Sequence, residues 1–461
     1  MKSVFKEYDI RAVYGAELGD GDAYDIGRAF VTFLLREKLP CRKVAVGRDV
    51  RMHSKALFRE FTRSLMDAGC DVVDVGECST PEFYFGTVVL GCDAGAMITA
   101  SHNAAKYNGL KLTKAMAVPI SGASGLKEIE AIFDAKNFSP EATVKGHVIK
   151  TDISAAYRAH VQKGATLARP VRVAADFLNG MGISEARALK GLAGFAMDAI
   201  NDAFDGEFKN YGEHGPDPMY KDTPKALQAI MVNARYDFGV IFDGDADRVA
   251  FLDEKGGIIP MDLTATLMAQ EILAAHPGAI ALYDLRSSWA AREAIAEAGG
   301  VSMMCRVGHS YIKEQMRSYN AVFAGELSGH YYFRNAFTAE GFAMTESSAT
   351  AVLTMANIVS RSEKPLSELI APLRRYHKTD ELNTKLETPA DAKRVLDAVL
   401  AKYGALGELS TWDGIRVEFA EWWFSVRCSN TEPKIRLIVE AKTEALMDEK
   451  TKELLALIQQ F

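Results

Sequence analysis

Residues 238–248 read FGVIFDGDADR, an apolar stretch that runs directly into an acidic loop. An uninterrupted apolar run of this length is typical of a strand that is buried on both faces of a sheet. In open α/β sheets, ligands bind beyond the carboxyl ends of the strands. The stretch therefore predicts an α/β fold and makes the loop at 243–248 the first candidate for a functional site.

The same pattern, a strand that runs into a polar loop, occurs at two other places. AGAMITA leads into the loop at 101–103, and AVFA leads into the loop at 325–330. Upstream of each loop, another apolar strand runs into an aspartate and a turn, at 43–49, 171–180 and 279–288. The repetition predicts three related α/β units, each with a different chemical loop.

Helical patterns separate the strands. Apolar residues at one face predict a helix from Asp22 to Leu39 with Asp22 as its N-cap, and a second helical stripe stops at Gly69. The C-terminal part differs, because a helix near 389–403, three strands and a final helix indicate an α+β module. The predicted domain spans are 1–147, 148–256, 257–369 and 370–461.

Composition narrows the class of protein. The 461 residues are 48% hydrophobic and 25% charged, which is ordinary for a globular chain with several cores. A formal net charge of -7 provides no global basic field, so we do not expect a nucleic-acid partner. The six cysteines lack a zinc spacing, and neither a secretory signal nor an apolar run of about 18 to 20 residues is found. We expect a cytoplasmic protein without a membrane partner.

Three carboxylates stand at alternate positions in the acidic loop, at Asp243, Asp245 and Asp247. Oxygen ligands in this number suit Mg2+ or Ca2+, and carboxylates this close repel one another unless a cation compensates them. An EF-hand is excluded because Arg248 occupies the position that requires glycine and because strand-like sequence flanks the loop. We predict a metal site rather than a solvated acidic turn.

The loop TASHN at 99–103 places the Ser101 hydroxyl beside the His102 imidazole, and the following YNGLK segment brings Lys111. A turn held by its own side chains is the alternative interpretation. No Gly-x-Ser-x-Gly motif surrounds Ser101, so an acyl-transfer triad fits poorly. A serine together with a metal site favours phosphoryl transfer.

The two remaining loops carry groups suited to a sugar phosphate. GELSGH offers Glu326, Ser328 and His330 to sugar hydroxyls, although a structural turn is equally compatible with this loop. RCSNTEP at 427–433, with Arg436 beyond it, is typical of a phosphate grip, the alternative being a polar hairpin turn.

Four motif groups together resemble the α-D-phosphohexomutase superfamily, in particular its bacterial phosphomannomutase/phosphoglucomutase branch. They are YDIR, TASHN with YNGLK, DGDADR with GELSGH, and RCSNTEP, and they extend the resemblance over essentially the whole chain. The resemblance implies three related α/β domains with mixed sheets and a C-terminal α+β domain, arranged around a central cleft. It also implies that Ser101 is phosphorylated and that Asp243, Asp245 and Asp247 bind Mg2+ together with a phosphate oxygen.

The same resemblance assigns further residues to the cleft. Glu326 and Ser328 would hold sugar hydroxyls, and the residues of the phosphate grip would be Arg427, Ser429, Asn430, Thr431 and Arg436. The reaction cleft would be lined by Tyr8, Arg11, His102, Lys111, Arg248, Arg286, His309 and His330. The chain departs from the family pattern at Ala12 and Ala104, which replace a glycine and a proline, and at Arg286, which replaces a lysine.

The implied reaction interconverts hexose 6-phosphate and hexose 1-phosphate, of mannose and also of glucose, through phosphoserine and a hexose 1,6-bisphosphate. Glucose or mannose 1,6-bisphosphate would be the activator, Lys111 or His102 the general base, and the protein a monomer or weak homodimer. A haloacid-dehalogenase-like enzyme with Asp243 as nucleophile, a metal-dependent sugar-phosphate phosphatase and a non-catalytic sensor are the rivals. Phosphoglucosamine mutase is the nearby alternative, although its loop typically differs at Leu327.

Overall fold

Four β-sheets organise the chain in a computed structural model that describes residues 4–339, 341–428 and 434–461. Helices pack against each sheet. Within the described ranges, no helix combines the length and the apolar character needed to cross a membrane. The predicted grip residues Ser429, Asn430 and Thr431 lie outside the described residues.

The first sheet has the strand order β1-β5-β4-β2-β3-β7, with β6 paired to β5. Its unit contains, in chain order, β1 (Ile10–Val13), α1 (Asp20–Arg36), β2 (Lys43–Arg48), α2 (Ser54–Asp67), β3 (Asp71–Glu77), α3 (Thr80–Val89), β4 (Ala94–Ile98), β5 (Tyr107–Lys114), β6 (Val118–Pro119), α4 (Lys127–Ala135) and β7 (Val148–Lys150).

The second sheet has the order β11-β10-β8-β9. Its unit contains α5 (Ser154–Gln162), β8 (Val171–Asp176), α6 (Gly182–Leu189), β9 (Phe195–Ile200), α7 (Pro224–Met231), β10 (Phe238–Phe242) and β11 (Val249–Leu252). Strand β10 is the FGVIF stretch, and all five of its residues are buried, as the apolar run predicts.

The third sheet has the order β13-β12-β14-β15-β16. Its unit contains α8 (Met261–Ala275), β12 (Ile280–Asp284), α9 (Trp289–Glu297), β13 (Val301–Cys305), α10 (His309–Tyr319), β14 (Phe323–Gly325), β15 (Tyr331–Thr338), β16 (Gly341–Glu346), α11 (Ser348–Ser360) and α12 (Leu366–Ile370).

The C-terminal sheet is antiparallel, in the order β17-β22-β21-β20-β19 with β18 also paired to β22. This module contains β17 (His377–Lys378), β18 (Leu382–Lys385), α13 (Pro389–Tyr403), β19 (Glu408–Ser410), β20 (Ile415–Glu418), β21 (Trp422–Cys428), β22 (Lys434–Ala441) and α14 (Glu444–Ile458). Helix α13 has the bounds that the sequence predicts.

The three units share one strand pattern, which confirms the predicted repeat and the mixed sheets. In each unit three strands run parallel and a fourth is antiparallel, giving β3-β2-β4-β5, β9-β8-β10-β11 and β13-β12-β14-β15. The chemical loops connect β4 to β5, β10 to β11 and β14 to β15. Each loop therefore lies at the carboxyl end of the equivalent parallel strand.

Helix α1 differs in its bounds from the prediction. It begins at Asp20 after the N-cap Gly19 and ends at Arg36, so the prediction of Asp22 as N-cap and Leu39 as the end was wrong. The Asp22 carboxylate accepts a hydrogen bond from the Gly19 N–H (2.8 Å). Asp22 therefore accepts a hydrogen bond at the helix N-terminus from the third helical position, and it is not the N-cap residue itself.

Candidate active site

Ser101 lies in the turn after β4 and is 2% exposed. Its backbone is left-handed (φ 51°), and its N–H donates to Thr99 Oγ1 (2.9 Å). The Ser101 hydroxyl donates to Asp243 Oδ2 (3.0 Å) and lies 3.2 Å from His102 Nδ1. Because Asp243 belongs to the second unit, two equivalent loops from different units meet at this hydroxyl.

A glycine allows this close approach. A Cβ atom built on Gly244 would lie 2.4 Å from the Ser101 carbonyl oxygen, which is closer than real Cβ contacts come. Any side chain at position 244 would push the acidic loop away from the serine loop.

The three aspartates of the acidic loop are all buried, and one ligand oxygen from each lies within 4.8 Å of the others. Asp245 Oδ1 is buried and has no hydrogen-bond partner among the described residues. A buried carboxylate oxygen without a donor is costly unless a cation binds it. The donor set of three carboxylates and one hydroxyl therefore fits a hard divalent cation.

Lys111 reaches the acidic loop from β5. Its ammonium donates to Asp245 Oδ2 (2.7 Å) and to Asp247 Oδ2. Burial alone would lower the pKa of Lys111, but the charges of Asp245 and Asp247 outweigh it and raise the pKa. Burial, followed by the charges of Asp247 and Asp245, raises the pKa of Asp243. The single Lys111 ammonium therefore balances only part of the negative charge of the three aspartates.

The third loop completes the cluster through His330. Its Nε2 lies 3.3 Å from Asp247 Oδ1 and 3.4 Å from Arg248 Nε, and its Nδ1 lies 2.8 Å from Ser328 Oγ and 3.0 Å from Glu326 Oε2. Burial opposes protonation, but the Asp247 and Glu326 carboxylates raise the pKa of His330 to about 9. His330 is therefore a link between the acidic loop and the sugar-binding candidates.

Arg248 contacts the acidic loop and Arg11 contacts the serine loop. The Arg248 N–H donates to Asp243 Oδ1 (3.2 Å), and the Arg11 guanidinium donates to Asn103 Oδ1 (2.8 Å) and to Asp9. Both arginines keep part of the side chain exposed, 19% and 20%. They place positive charge on the open side of the serine and acidic loops.

Glu326 is held firmly before any ligand binds. It accepts hydrogen bonds from the Tyr332 hydroxyl (2.8 Å) and the Gly308 N–H (3.2 Å), and the Arg286 guanidinium lies 3.4 Å away. His309 follows at the start of α10, and neither of its ring nitrogens has a partner among the described residues. The Tyr8 ring packs edge-on against His309 at 5.8 Å.

In the C-terminal module, one carboxylate, that of Glu381, lies near two arginines of the module and one arginine of the third unit. Glu381 lies 3.1 Å from Arg436, 3.5 Å from Arg286 and 4.0 Å from Arg427. Arg427 also pairs with Asp413 (2.8 Å). Arg286, Arg427 and Arg436 therefore meet around Glu381, which joins the C-terminal module to the third unit.

Two residues of the site were missed from the sequence. The Arg51 guanidinium is buried and donates to the carbonyl oxygens of Ser101 (2.7 Å) and Asn103 (2.6 Å). Thr80 donates its N–H to the Asp245 carbonyl (3.0 Å) and its hydroxyl to Asp245 Oδ2 (2.7 Å). In the sequence, the charged pair Asp49 and Arg51 at the end of β2 could have pointed to Arg51. No sequence pattern points to Thr80.

Known proteins match this chain over nearly its whole length. The models of the phosphoglucomutase/phosphomannomutase family match as α/β/α domain I at 2–140, domain II at 155–257, domain III at 260–376 and the C-terminal domain at 381–457. An Escherichia coli phosphomannomutase is 35% identical over 98% of both chains. A Neisseria gonorrhoeae phosphoglucomutase is 35% identical over 97% of this chain and 95% of its own.

A solved structure shows the same architecture. The phosphoglucomutase/phosphomannomutase family protein of Burkholderia thailandensis superposes with a TM-score of 0.88 at 30% identity, covering 100% of this chain and 98% of its own. Three repeated α/β units, a C-terminal α+β module and a buried serine beside three aspartates define a member of the α-D-phosphohexomutase superfamily. Within it, the chain belongs to the phosphoglucomutase/phosphomannomutase family. The predicted resemblance and fold class are confirmed.

Proposed function

We propose that this chain interconverts hexose 6-phosphate and hexose 1-phosphate, with Ser101 carrying the phosphoryl group between the two positions. Hexose-phosphate mutase activity follows from membership of the family. The observation that carries the role of Ser101 is its hydroxyl, which lies 3.0 Å from Asp243 Oδ2 inside the acidic cluster. A serine placed there can pass a phosphoryl group to a ligand without exposing it to bulk water.

The reaction requires two transfers of opposite direction. In the first, the bond between Ser101 Oγ and phosphorus breaks as a sugar hydroxyl oxygen bonds to phosphorus, and the hydroxyl proton passes to a base. The base then returns this proton to Ser101 Oγ, and the hexose 1,6-bisphosphate turns round. In the second transfer, Ser101 Oγ bonds to the other phosphorus as the bond between that phosphorus and its sugar oxygen breaks, and the serine proton passes through the base to the released sugar oxygen. The base is His102 or Lys111, which both lie in the cluster. His102 is favoured, because burial lowers its pKa whereas the charges of Asp245 and Asp247 hold Lys111 as an ammonium. Glucose or mannose 1,6-bisphosphate restores phosphoserine after hydrolysis.

The other residues bind the substrate at two ends. Glu326, Ser328 and His330 hold the sugar hydroxyls, and Arg427 with Arg436 holds the phosphate that is not reacting. Arginine side chains match phosphate oxygens through paired N–H donors. The unsatisfied Nε and Nη1 atoms of Arg427, within the described part of the chain, support this assignment.

Mg2+ is the cation we propose for Asp243, Asp245 and Asp247, with Ser101 or its phosphate as a further ligand. When bound, it neutralises negative charge on the transferring phosphoryl group. The orphaned Asp245 Oδ1 supports the site.

Removal of divalent cations with EDTA should abolish mutase activity, and Mg2+ should restore it. Asp245→Asn should raise the Mg2+ concentration for half-maximal activity at least about tenfold, because it removes a charged ligand. Asp253→Asn is the matched control, since among the described residues the Asp253 side chain accepts only from backbone N–H groups of its own turn. Full activity after exhaustive chelation would contradict the metal proposal.

Sugar preference is tested by a coupled assay on mannose 1-phosphate, glucose 1-phosphate and glucosamine 1-phosphate. We expect turnover of the mannose and glucose substrates and weak turnover of the glucosamine substrate. The reverse order would favour phosphoglucosamine mutase. Release of inorganic phosphate at the rate of sugar-phosphate consumption would favour a phosphatase.

The proposal also covers the domain organisation, the oligomeric state and the cellular location of the protein. We propose the domain spans 1–147, 148–256, 257–369 and 370–461, with β7 (Val148–Lys150) continuing the first sheet across the first of these boundaries. We also propose a monomer or weak homodimer and a cytoplasmic location. Six free cysteines support a reducing compartment.

A further inference from the structure

Glu185 is a buried carboxylate that contacts three units at once. It lies on α6 in the second unit and is 0% exposed. Its Oε1 accepts from the Ser79 hydroxyl of the first unit (2.5 Å), and its Oε2 accepts from the Ala349 N–H of the third unit (2.8 Å). The Tyr157 hydroxyl lies 3.1 Å from both oxygens.

Both outside contacts of Glu185 are made at helix N-termini. Ser79 is the N-cap of α3, and Ala349 is the second residue of α11. The first turn of a helix has N–H groups without an intrahelical acceptor and carries partial positive charge. A carboxylate placed between two such ends therefore draws α3 and α11 toward each other.

The residues next to these contacts hold the acidic loop. Thr80, which follows Ser79, donates to the Asp245 carbonyl and to Asp245 Oδ2 (3.0 and 2.7 Å). Ser348, which precedes Ala349, donates its hydroxyl to the Ala246 carbonyl (2.8 Å). On two different helices, the partners of Glu185 are thus adjacent to residues that bond to the acidic loop: Thr80 bonds to Asp245, and Ser348 bonds to Ala246, the next residue.

We propose that Glu185 is a positioning residue for the acidic loop: it holds the N-termini of α3 and α11 so that Thr80 and Ser348 fix Asp245 for the divalent cation. This inference rests on the proposed metal-binding function of the loop. Hydrogen-bonding groups beyond the ligands orient them, and their loss weakens metal affinity by about 10- to 100-fold.

The surroundings of Glu185 distinguish this role from simple packing. Burial raises the pKa of Glu185 to about 7, and the Glu82 charge adds to the rise, while the bonds from Ser79, Ala349 and Tyr157 oppose it. An apolar side chain would fill the same space without this cost. What an apolar residue cannot supply is an acceptor for all three donors.

The test measures metal binding directly. Binding of Mn2+, followed by electron paramagnetic resonance in competition with Mg2+, is compared in wild type, Glu185→Ala, Glu185→Gln and Asp245→Asn. We expect Glu185→Ala to weaken Mn2+ binding about tenfold and Glu185→Gln less, because glutamine keeps one acceptor oxygen. The KM for hexose phosphate should stay within about twofold, since the arginine grip is untouched.

Glu82→Gln is the matched control. Glu82 is also a buried glutamate between the first two units, and it accepts from the Ser184 hydroxyl (2.9 Å). Its variant should bind Mn2+ within about twofold of wild type if the effect is specific to Glu185. A second arm combines Glu185→Ala with Thr80→Val; because both act on Asp245, their losses should be less than additive.

The outcomes separate the two proposals. Wild type that binds no Mn2+, or binds it equally after Asp245→Asn, would overturn the metal site and this inference together. Wild type that binds Mn2+ while Glu185→Ala binds it equally well would overturn the positioning role alone. If Glu185→Ala does not fold, Glu185→Gln decides: an unchanged Mn2+ affinity, or a loss that Glu82→Gln shows to the same extent, would contradict the proposal.

Discussion

Ser101→Ala is expected to lose mutase activity by at least about 10^4-fold, even with saturating glucose 1,6-bisphosphate. The variant has no oxygen to carry the phosphoryl group, and loss of a covalent nucleophile is not replaced by neighbouring groups. The hydroxyl is small, and its acceptor Asp243 also accepts from the Arg248 N–H (3.2 Å), so the fold should be retained. A coupled assay for glucose 1-phosphate conversion measures the effect.

Labelling identifies the atom that is phosphorylated. Wild type incubated with radiolabelled glucose 1,6-bisphosphate should acquire one stable phosphoserine, and Ser101→Ala should acquire none. Ser154→Ala, a serine at the start of α5, is the control and should behave as wild type. Turnover near the wild-type rate in Ser101→Ala would rule the mechanism out, and an acid-stable, hydroxylamine-sensitive label would point to Asp243 as nucleophile.

The repeated structure explains why the site needs all three α/β units. Equivalent strands β4, β10 and β14 end in the serine loop, the acidic loop and the loop that we propose binds the sugar. Each loop alone is an ordinary turn. Their chemistry arises where they meet: Ser101 donates to Asp243, and Asp247 faces His330. A single fold unit thus supplies three different groups by changing one loop.

The sequence was sufficient to predict the repeat, because the repeat shows in local patterns of apolar and polar residues. Apolar strands followed by polar loops predicted β2, β8 and β12 and the strands β4, β10 and β14 that lead into the three chemical loops, since strand burial follows directly from the order of residues. The aspartate triad was also predictable, because three carboxylates at alternate positions need compensation wherever they lie.

Contacts between units were not predictable in the same way. Thr80 and Glu185 act only because α3, α6 and α11 meet, and neither carries a local sequence signal. The start of α1 was misplaced because an aspartate can serve a helix from the cap or from the third helical position. Contacts between distant parts of the chain decide such cases, and a single sequence does not reveal those contacts.

Arg51→Met is expected to reduce kcat about 100-fold and to destabilise the protein by about 3–5 kcal/mol. The Arg51 side chain donates to four carbonyl oxygens of the serine loop, those of Ser101, Asn103, Ala104 and Tyr107. Loss of these donors frees a loop whose serine has a left-handed backbone, and a misplacement of about 1 Å can cost about 100-fold in rate. The stability loss arises because Asp49 keeps a buried charge without its partner (3.1 Å).

The double variant Asp49→Asn with Arg51→Met separates the two effects. Removing both charges should recover at least half of the lost free energy of unfolding, because no uncompensated charge stays buried. It should not recover kcat, because the four carbonyl oxygens of the serine loop still lack their donor. Urea unfolding measures the stability and the coupled assay measures kcat; recovery of both together would mean that Arg51 only balances Asp49 and does not position Ser101.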